Sequence, residues 1–456
     1  MLFVQIILGL IGLGIVVFIH ELGHFLAARL TGIHVEAFSI GWGKPIIKKK
    51  VGDVEYRLGM FPIGGYCKMK GSSDHNNEDY ENIEKGIEPE KGSYLAAHPA
   101  ARILVCFAGP FFNLIFAIIL LSILWGTGFE IHTFGNKIVL ASDVESIPFP
   151  ADAAGFQTGD RIVEINSRSI SYFHEITQNI ALNPERTLPV TVERDGRLHQ
   201  LYVTPSLDRS SGRGRIGVYF WAEPVIASVL EGSPAYRAGL RAGDTILSAN
   251  GITLNNTIDL MIIRNQNPQE LVLEYERGGS LGFAFFSADD FENELLSMGE
   301  LGFSWQTIRF RTPNLSVPAA IVRGTQEGFR TLAAYISGLR LLFMGIDLTE
   351  AVSGPLRITY LMGEMTTAGF EYGGIGTGLR SFANLLAFIS IALFVMNLLP
   401  LPVIDGGMII LYTIELIRGK PAHPKAISIF QTCGMAIIFG LIALALFGDI
   451  MFFATR

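Results

Sequence analysis

The sequence predicts a multi-pass α-helical membrane protein with four transmembrane helices and two tandem extracytoplasmic α+β domains inserted between spans two and three. Three observations carry that prediction. Four stretches are apolar over the width of a bilayer, and a sequence pattern repeats once in the long region between the second and third. The composition sets 49% apolar residues against 17% charged ones among 456, where a soluble domain carries about 25% charged.

The four spans come first. Leu2–Ile19 is interrupted only by Gln5 and is long enough to cross a bilayer. A cleaved signal peptide would carry basic residues before its apolar core and a small-residue cleavage site after it. Here nothing basic precedes the run, which continues into His20-Glu21-Leu22-Gly23-His24. Ile103–Trp125 contains Asn113, Leu385–Leu401 contains Ser390 and Asn397, and Ala426–Phe453 contains Gln431 and a late Asp449. We read transmembrane helices at 1–30, 102–127, 379–406 and 426–453. Between them lie a loop at 31–101, an outer region at 128–378 and a short connection at 407–425. Arg29, Lys44, Lys48, Lys49, Lys50, Arg57, Lys68 and Lys70 follow the first span, and Arg418, Lys420 and Lys425 sit in the connection. The excess of basic residues in cytoplasmic loops places both connections inside and the region 128–378 outside. The net charge of −7 and pI near 5.8 offer no basic stripe, so no nucleic-acid partner is expected. Three cysteines, Cys67, Cys106 and Cys433, all outside the central region, exclude a disulfide framework and a Cys-rich metal site.

The outer region is internally duplicated. Ala154-Gly155-Phe156, Gly159-Asp160, Ile162 and Asn166 recur 84 residues later as Ala238-Gly239-Leu240, Gly243-Asp244, Ile246 and Asn250. Asn183-Pro184 and Asn267-Pro268 keep that offset, and Val192-Glu193-Arg194 resembles Tyr275-Glu276-Arg277. A period of this length means two domains, here 128–220 and 221–312. Each mixes alternating strand-like runs, such as Leu188–Val192 and Leu271–Tyr275, with a short helix. The A-G-hydrophobic-x-x-G-D-x-I pattern resembles bacterial PDZ domains, which implies peptide ligands added to a sheet edge. Peptide capture and simple gating of the membrane part remain equal readings. In 313–378, Phe329, Leu332, Ile336, Leu339 and Phe343 step by three and four. They read as an amphipathic helix on the bilayer surface or against the outer pair, or as a core helix of an outer domain.

The chemistry-bearing residues lie at the span ends. His20-Glu21-Leu22-Gly23-His24 matches H-E-x-x-H. On a helix, positions i and i+4 share a face, so two imidazoles can meet one ion with the glutamate beside them. Capping of the span at the interface accounts for one such residue, not for two histidines at ligand spacing. A tetrahedral catalytic zinc needs a third protein ligand and an open position. His34, His75, His98, His132, His174, His199 and His423 fall in polar, interfacial or outer sequence. Asp405 stands instead at membrane depth beyond Asn397-Leu398-Leu399-Pro400-Leu401-Pro402, where prolines break the helix. An ordinary turn aspartate in Ile404-Asp405-Gly406-Gly407 is the other reading.

His20-Glu21-x-x-His24 together with Asn397-x-x-Pro400-x-Pro402-x-x-Asp405-Gly406 resembles the site-2 protease family. Phe38–Gly43, Pro62-Ile63-Gly64-Gly65-Tyr66-Cys67-Lys68-Met69, Gly109-Pro110-Phe111-Phe112-Asn113 and Val352-Ser353-Gly354-Pro355 extend the resemblance over nearly the whole chain. Cys67 departs from the small or β-branched residue usual after Gly-Gly-Tyr. The resemblance implies an intramembrane zinc metalloendopeptidase of the bacterial inner membrane, its outer domains periplasmic and its site near the cytoplasmic side. It implies Zn²⁺ on His20, His24 and Asp405, with Glu21 as catalytic acid–base. Substrate contacts would fall to Asn397, which reads equally as a polar residue satisfied at the helix break. They would also fall to Gly64, Gly65 and Tyr66, in a strand over Val54–Met69 that resembles the family's membrane-associated β-loop. The other reading of that strand is a hairpin that only packs against the core. Implied substrates are single-pass transmembrane proteins: an anti-sigma factor already trimmed by another protease, and leftover signal peptides. A catalytically inactive PDZ-bearing adaptor and a zinc hydrolase of small or lipid substrates are the rivals. Glu21 and Asp405 argue against the first, the tandem peptide-binding pattern against the second.

Overall fold

The computed structural model describes residues 2–71, 89–145, 147–208, 212–266, 270–287, 290, 301–342, 354–420 and 423–454. His75, Asn267-Pro268, Phe343 and Val352-Ser353 lie outside the described residues. The chain divides into two units, Met1–Phe129 with Pro313–Arg456, and Glu130–Thr312. Among the described residues, four helices are long and apolar enough to cross a membrane: Phe3–Leu30, Pro99–Thr127, Gly374–Asn397 and Lys425–Ala454.

Helix α1 spans Leu2–Leu30, and two long strands follow, β1 at Val35–Val51 and β2 at Val54–Met69. Phe38 pairs with both Tyr56 and Cys67, and Tyr56 with both Phe38 and Lys49. The hairpin therefore bends back on itself at its bulges, leaving 65–69 as one edge and 47–51 as the other. Trp42, Ile46, Ile47, Met60 and Phe61 are exposed towards its tip. Helix α2 runs Pro99–Thr127; Pro99 opens it and the His98 side chain accepts from the Ala100 N–H at 3.2 Å.

In the outer unit the repeat becomes two copies of one arrangement. The first has β3 (Arg161–Ile165), β4 (Arg168–Ser169), helix α3 (Phe173–Ala181), β5 (Leu188–Arg194) and β6 (Arg197–Val203), in sheet order β4-β3-β5-β6. The second repeats it with β7 (Thr245–Ala249), β8 (Ile252–Thr253), helix α4 (Thr257–Asn265), β9 (Glu270–Arg277) and β10 (Ser280–Ser287), in order β8-β7-β9-β10. The two cores are separate: Ile162, Ile176 and Val190 sit in one, Ile246, Leu260 and Leu273 in the other. The recurring Gly-Asp and Arg are explained by one device. Buried Asp160 takes two bonds of 2.7 Å from Arg194 and one of 2.9 Å from the Gln157 N–H. Buried Asp244 takes bonds of 2.6 and 2.7 Å from Arg277 and one of 2.7 Å from the Arg241 N–H. A buried carboxylate is tolerated only when paired and hydrogen-bonded in this way.

The remaining helices return to the membrane unit: α5 at Val317–Leu342, α6 at Pro355–Asn397, α7 at Asp405–Arg418 and α8 at Pro424–Ala454. Three expectations change here. First, α5 belongs to the unit of the apolar helices, where it packs on α2, and is not a core helix of an outer domain. Ala320, Gly324, Gly328 and Leu332, four apart, form the seam against Ile118, Leu121 and Ser122, while Phe329 and Ile336 stay exposed. Small residues let helix backbones approach where no hydrophobic force drives association. Second, Gly374 leaves helical geometry at φ 68° and ψ −171°. The apolar span therefore begins there and ends at Asn397, not at 379 and 406. Third, residues 407–418 of the expected connection belong to helix α7, which begins at Asp405. Buried Asp449 of α8 accepts from the Gly354 and Leu356 N–H groups at 2.9 and 3.0 Å, capping α6 from another helix.

Helix α2 holds α7 through one ion pair. Arg102 Nη2 lies 2.6 Å from Glu415 Oε1, with the two side chains 4% and 12% exposed, and the guanidinium stacks 4.6 Å over Tyr412. Removing one partner of such a pair strands the other charge and costs about 3–5 kcal/mol, whereas replacing both with apolar groups is close to neutral. Glu415→Leu should therefore lower the thermal unfolding temperature in detergent markedly. Adding Arg102→Met should restore most of the loss.

Candidate metal centre

His20, Glu21 and His24 lie within the uninterrupted helix α1, so the two rings meet edge to face on one side of it with centroids 4.7 Å apart. Asp405 comes from the N-terminus of α7, where its negative charge meets the positive end of the helix dipole. The turn that delivers it is strained and tight. Val403 has φ 78°, a left-handed conformation that a β-branched residue holds only under constraint. A Cβ on Gly406 would overlap the Leu398 and Leu399 carbonyls, and one on Gly407 the Leu401 carbonyl. Asp405 is thus a helix-start residue over a folded-back loop, not an ordinary turn aspartate.

The structure brings the three side chains together. His20 Nε2 lies 3.1 Å from His24 Nε2 and 3.3 Å from Asp405 Oδ2, and His24 Nε2 lies 3.6 Å from Asp405 Oδ1. Ligand atoms at the corners of a tetrahedral zinc site, at about 2.0–2.1 Å from the metal, stand about 3.3 Å apart. The set therefore fits zinc in spacing as well as type. The His24 Nδ1–H donates to the Val105 carbonyl at 2.8 Å, which leaves Nε2 as a lone pair facing the other two ligand atoms. Three converging lone pairs with no donor between them repel one another until a cation joins them. Among the described residues this is the one cluster of three such ligands.

Helix α2 is the floor of the site. Gly23 of α1 has no room for a Cβ against the Ala108 carbonyl, and a Cβ on Gly109 would overlap His24 Nε2 itself. Sequence reading took Gly109-Pro110 as a family signature without seeing this contact. Pro110 breaks the regular hydrogen bonding of α2 in the same turn, near the Val105 carbonyl that His24 uses.

The hairpin closes the other side. Gly65 on the 65–69 edge sits where a Cβ would come within 3.1 Å of Glu21 Cγ and Val17 Cγ1. The Cys67 backbone amide faces the Glu21 carboxylate. Burial, and then the Glu21 charge, push the Cys67 thiol up to about 12. Gly64 has φ 87° and abuts the Trp42 indole. The Tyr66 hydroxyl accepts from Arg57 at 2.9 Å and is turned along the strand. Asn397 is the last residue of α6, half-buried, one turn before the fold-back to Asp405. Gly65 is thus placed beside the glutamate, Gly64 and Tyr66 on the same edge facing other partners.

Two outcomes follow. Gly109→Ala puts a methyl against the metal-facing nitrogen of His24, so metal content per chain, by elemental analysis, should fall well below the parent. Gly126→Ala on the same helix, whose Cβ would meet only Ala320 at 3.5 Å, should keep it. Cys67, held as a thiol, should alkylate with iodoacetamide at pH 8.5 more than about a hundredfold slower than a free thiol of ordinary pKa near 8.5.

Residues 8–441 match the model of peptidase family M50. A protein of Treponema pallidum named "Putative zinc metalloprotease" is 34% identical over 452 residues, covering 98% of this chain and 99% of that one. A protein of the same name from Borreliella burgdorferi is 30% identical, covering 98% of each. The regulator of sigma E protease of Haemophilus influenzae is 29% identical, covering 97% of each. With this coverage, and with the ligand set in place, the chain belongs to peptidase family M50, the site-2 protease family of zinc metalloproteases.

Proposed function

We propose that this chain is an intramembrane zinc metalloendopeptidase that hydrolyses peptide bonds within transmembrane segments of single-pass proteins. The observation that carries the reading is the convergence of His20, His24 and Asp405 at 3.1–3.6 Å, from α1 and the helix that follows the third apolar span. His20, His24 and Asp405 would hold the zinc. When bound, zinc supplies a Lewis acid that polarises the scissile carbonyl and acidifies a water.

The chain's own residues do the rest. Glu21 lies next to His20, outside the ligand set, and accepts the proton of the attacking water, then returns it to the leaving nitrogen. A substrate helix hides its amides in internal hydrogen bonds and must unwind before a carbonyl is exposed. The backbone at 65–69, an outer strand of the bent hairpin beside Glu21, would supply partners for the unwound strand by β-addition. Asn397, the last residue of α6, would engage substrate backbone as the family resemblance implies, or be satisfied at the helix break. The exposed apolar tip of the hairpin suits the membrane interface.

The outer modules fit PDZ domains. In each, a strand (Val218–Phe220, Phe303–Trp305) pairs on one edge only among the described residues, leaving the other for an extended peptide. The basic loops favour a bacterial inner membrane topology with these modules periplasmic and the site near the cytoplasm. The family resemblance implies a trimmed anti-sigma factor and leftover signal peptides as substrates, and one relative carries the name regulator of sigma E protease. A catalytically inactive adaptor has no use for the assembled ligands and Glu21.

Glu21→Gln should leave membrane insertion and zinc content unchanged and abolish cleavage of a model transmembrane substrate. Cleavage at the parental rate would defeat the protease reading. Asp405→Ala should lower zinc occupancy, and unchanged zinc would remove Asp405 from the ligand set.

A further inference from the structure

His24 is held by a carbonyl of α2, and His20 has a neighbour on the same helix that the mechanism does not use. Asn113 is fully buried, and its Nδ2 lies 3.5 Å from His20 Nδ1. Its Oδ1 is buried with no hydrogen-bond partner among the described residues. An unsatisfied amide oxygen is expensive anywhere and more so in a helix otherwise packed on Leu114, Ala117 and Leu121. Its position is therefore informative.

The chemistry of His20 assigns the missing partner. His20 presents Nε2 to His24 and Asp405, so Nε2 is the ligand atom and Nδ1 carries the proton. A proton on Nδ1 needs an acceptor. A half-turn of the Asn113 carboxamide about χ2 exchanges its two ends and sets Oδ1 opposite Nδ1–H. One rotation turns a donor–donor approach into a hydrogen bond and uses the orphaned oxygen.

We propose that Asn113 is the positioning residue for His20: its side-chain carbonyl accepts from Nδ1–H, fixes the ring's tautomer and aims Nε2 at the zinc. The inference rests on the zinc reading of the centre. Helix α2 then orients both imidazoles, His24 by the backbone of Val105 and His20 by a side chain eight residues further along. Partners of this kind raise ligand basicity and hold ring orientation, and their loss weakens metal affinity by about 10–100-fold.

The test uses full-length protein in detergent micelles, with zinc affinity measured by chelator competition. Asn113→Leu keeps the volume and removes the acceptor; Asn113→Asp keeps the acceptor. We expect Asn113→Leu to weaken zinc binding about 10–100-fold, and Asn113→Asp to stay within about threefold of the parent. Cobalt substituted for zinc adds a signature that packing alone does not move: its visible absorption should change in Asn113→Leu and persist in Asn113→Asp. Unfolding of the metal-free proteins separates stability from affinity, since a packing role lowers their melting temperature without altering the increment that zinc adds. Parental affinity and cobalt spectrum in Asn113→Leu overturn the proposal, as does equal loss in both variants. If the parent itself binds no stoichiometric zinc, or His20→Ala keeps it, the zinc reading fails first.

Discussion

Everything in the membrane unit follows from one constraint: three lone-pair donors must be held within 4 Å of one another by helices that cannot wander. Inside a bilayer such groups find no water to satisfy them, so their positions are set by the protein alone. The chain meets the constraint with one helix, α2, that packs on α1, α5, α6 and α7. Helix α2 approaches α1 at Gly23 and Gly109 and fixes His24 through Val105. It fixes α7, and with it Asp405, through the Arg102–Glu415 pair. A rigid reference of this kind is needed because Asp405 reaches the site from a strained turn, at Val403, that would relax if α7 were free.

The sequence disclosed most of the chemistry and less of the scaffold, for a physical reason. Ligand spacing is local: two histidines four apart on a helix face one ion whatever else the fold does, and Asp405 was marked by its depth beyond two prolines. The duplication was visible because Gly-Asp and Arg are fixed by a buried ion pair that tolerates no substitute, at Asp160–Arg194 and Asp244–Arg277. What escaped is what depends on contacts between distant segments. No local pattern marks Arg102, yet it is buried against a glutamate 313 residues away. Helix α7 read as a connection, because Pro-Val-Ile-Asp-Gly-Gly carries turn residues that are needed here for close approach of the backbone. Helix α5 was read by its large apolar residues, whereas its glycines and Ala320 make the contact. In lipid, large side chains find solvent anywhere and small ones mark the interface.

The hairpin and the metal centre make sense only together. A peptide carbonyl inside a transmembrane helix is already hydrogen-bonded, so bringing a helix to the ligands accomplishes nothing by itself. Unwinding it in lipid exposes several backbone groups, each worth several kcal/mol if left unsatisfied. A strand edge offers those groups new partners at the moment they lose the old ones. The 65–69 edge passes over Glu21 closely enough that Gly65 has no space for a side chain, which leaves backbone, not side chains, as the surface beside the general base. The same backbone contact explains why Cys67 stays a thiol: the strand that presents its amide to Glu21 also buries its sulfur beside that carboxylate. On the proposed function, specificity for a helix that unwinds easily would be a property of the substrate, with the chain supplying a backbone template beside the ligand set.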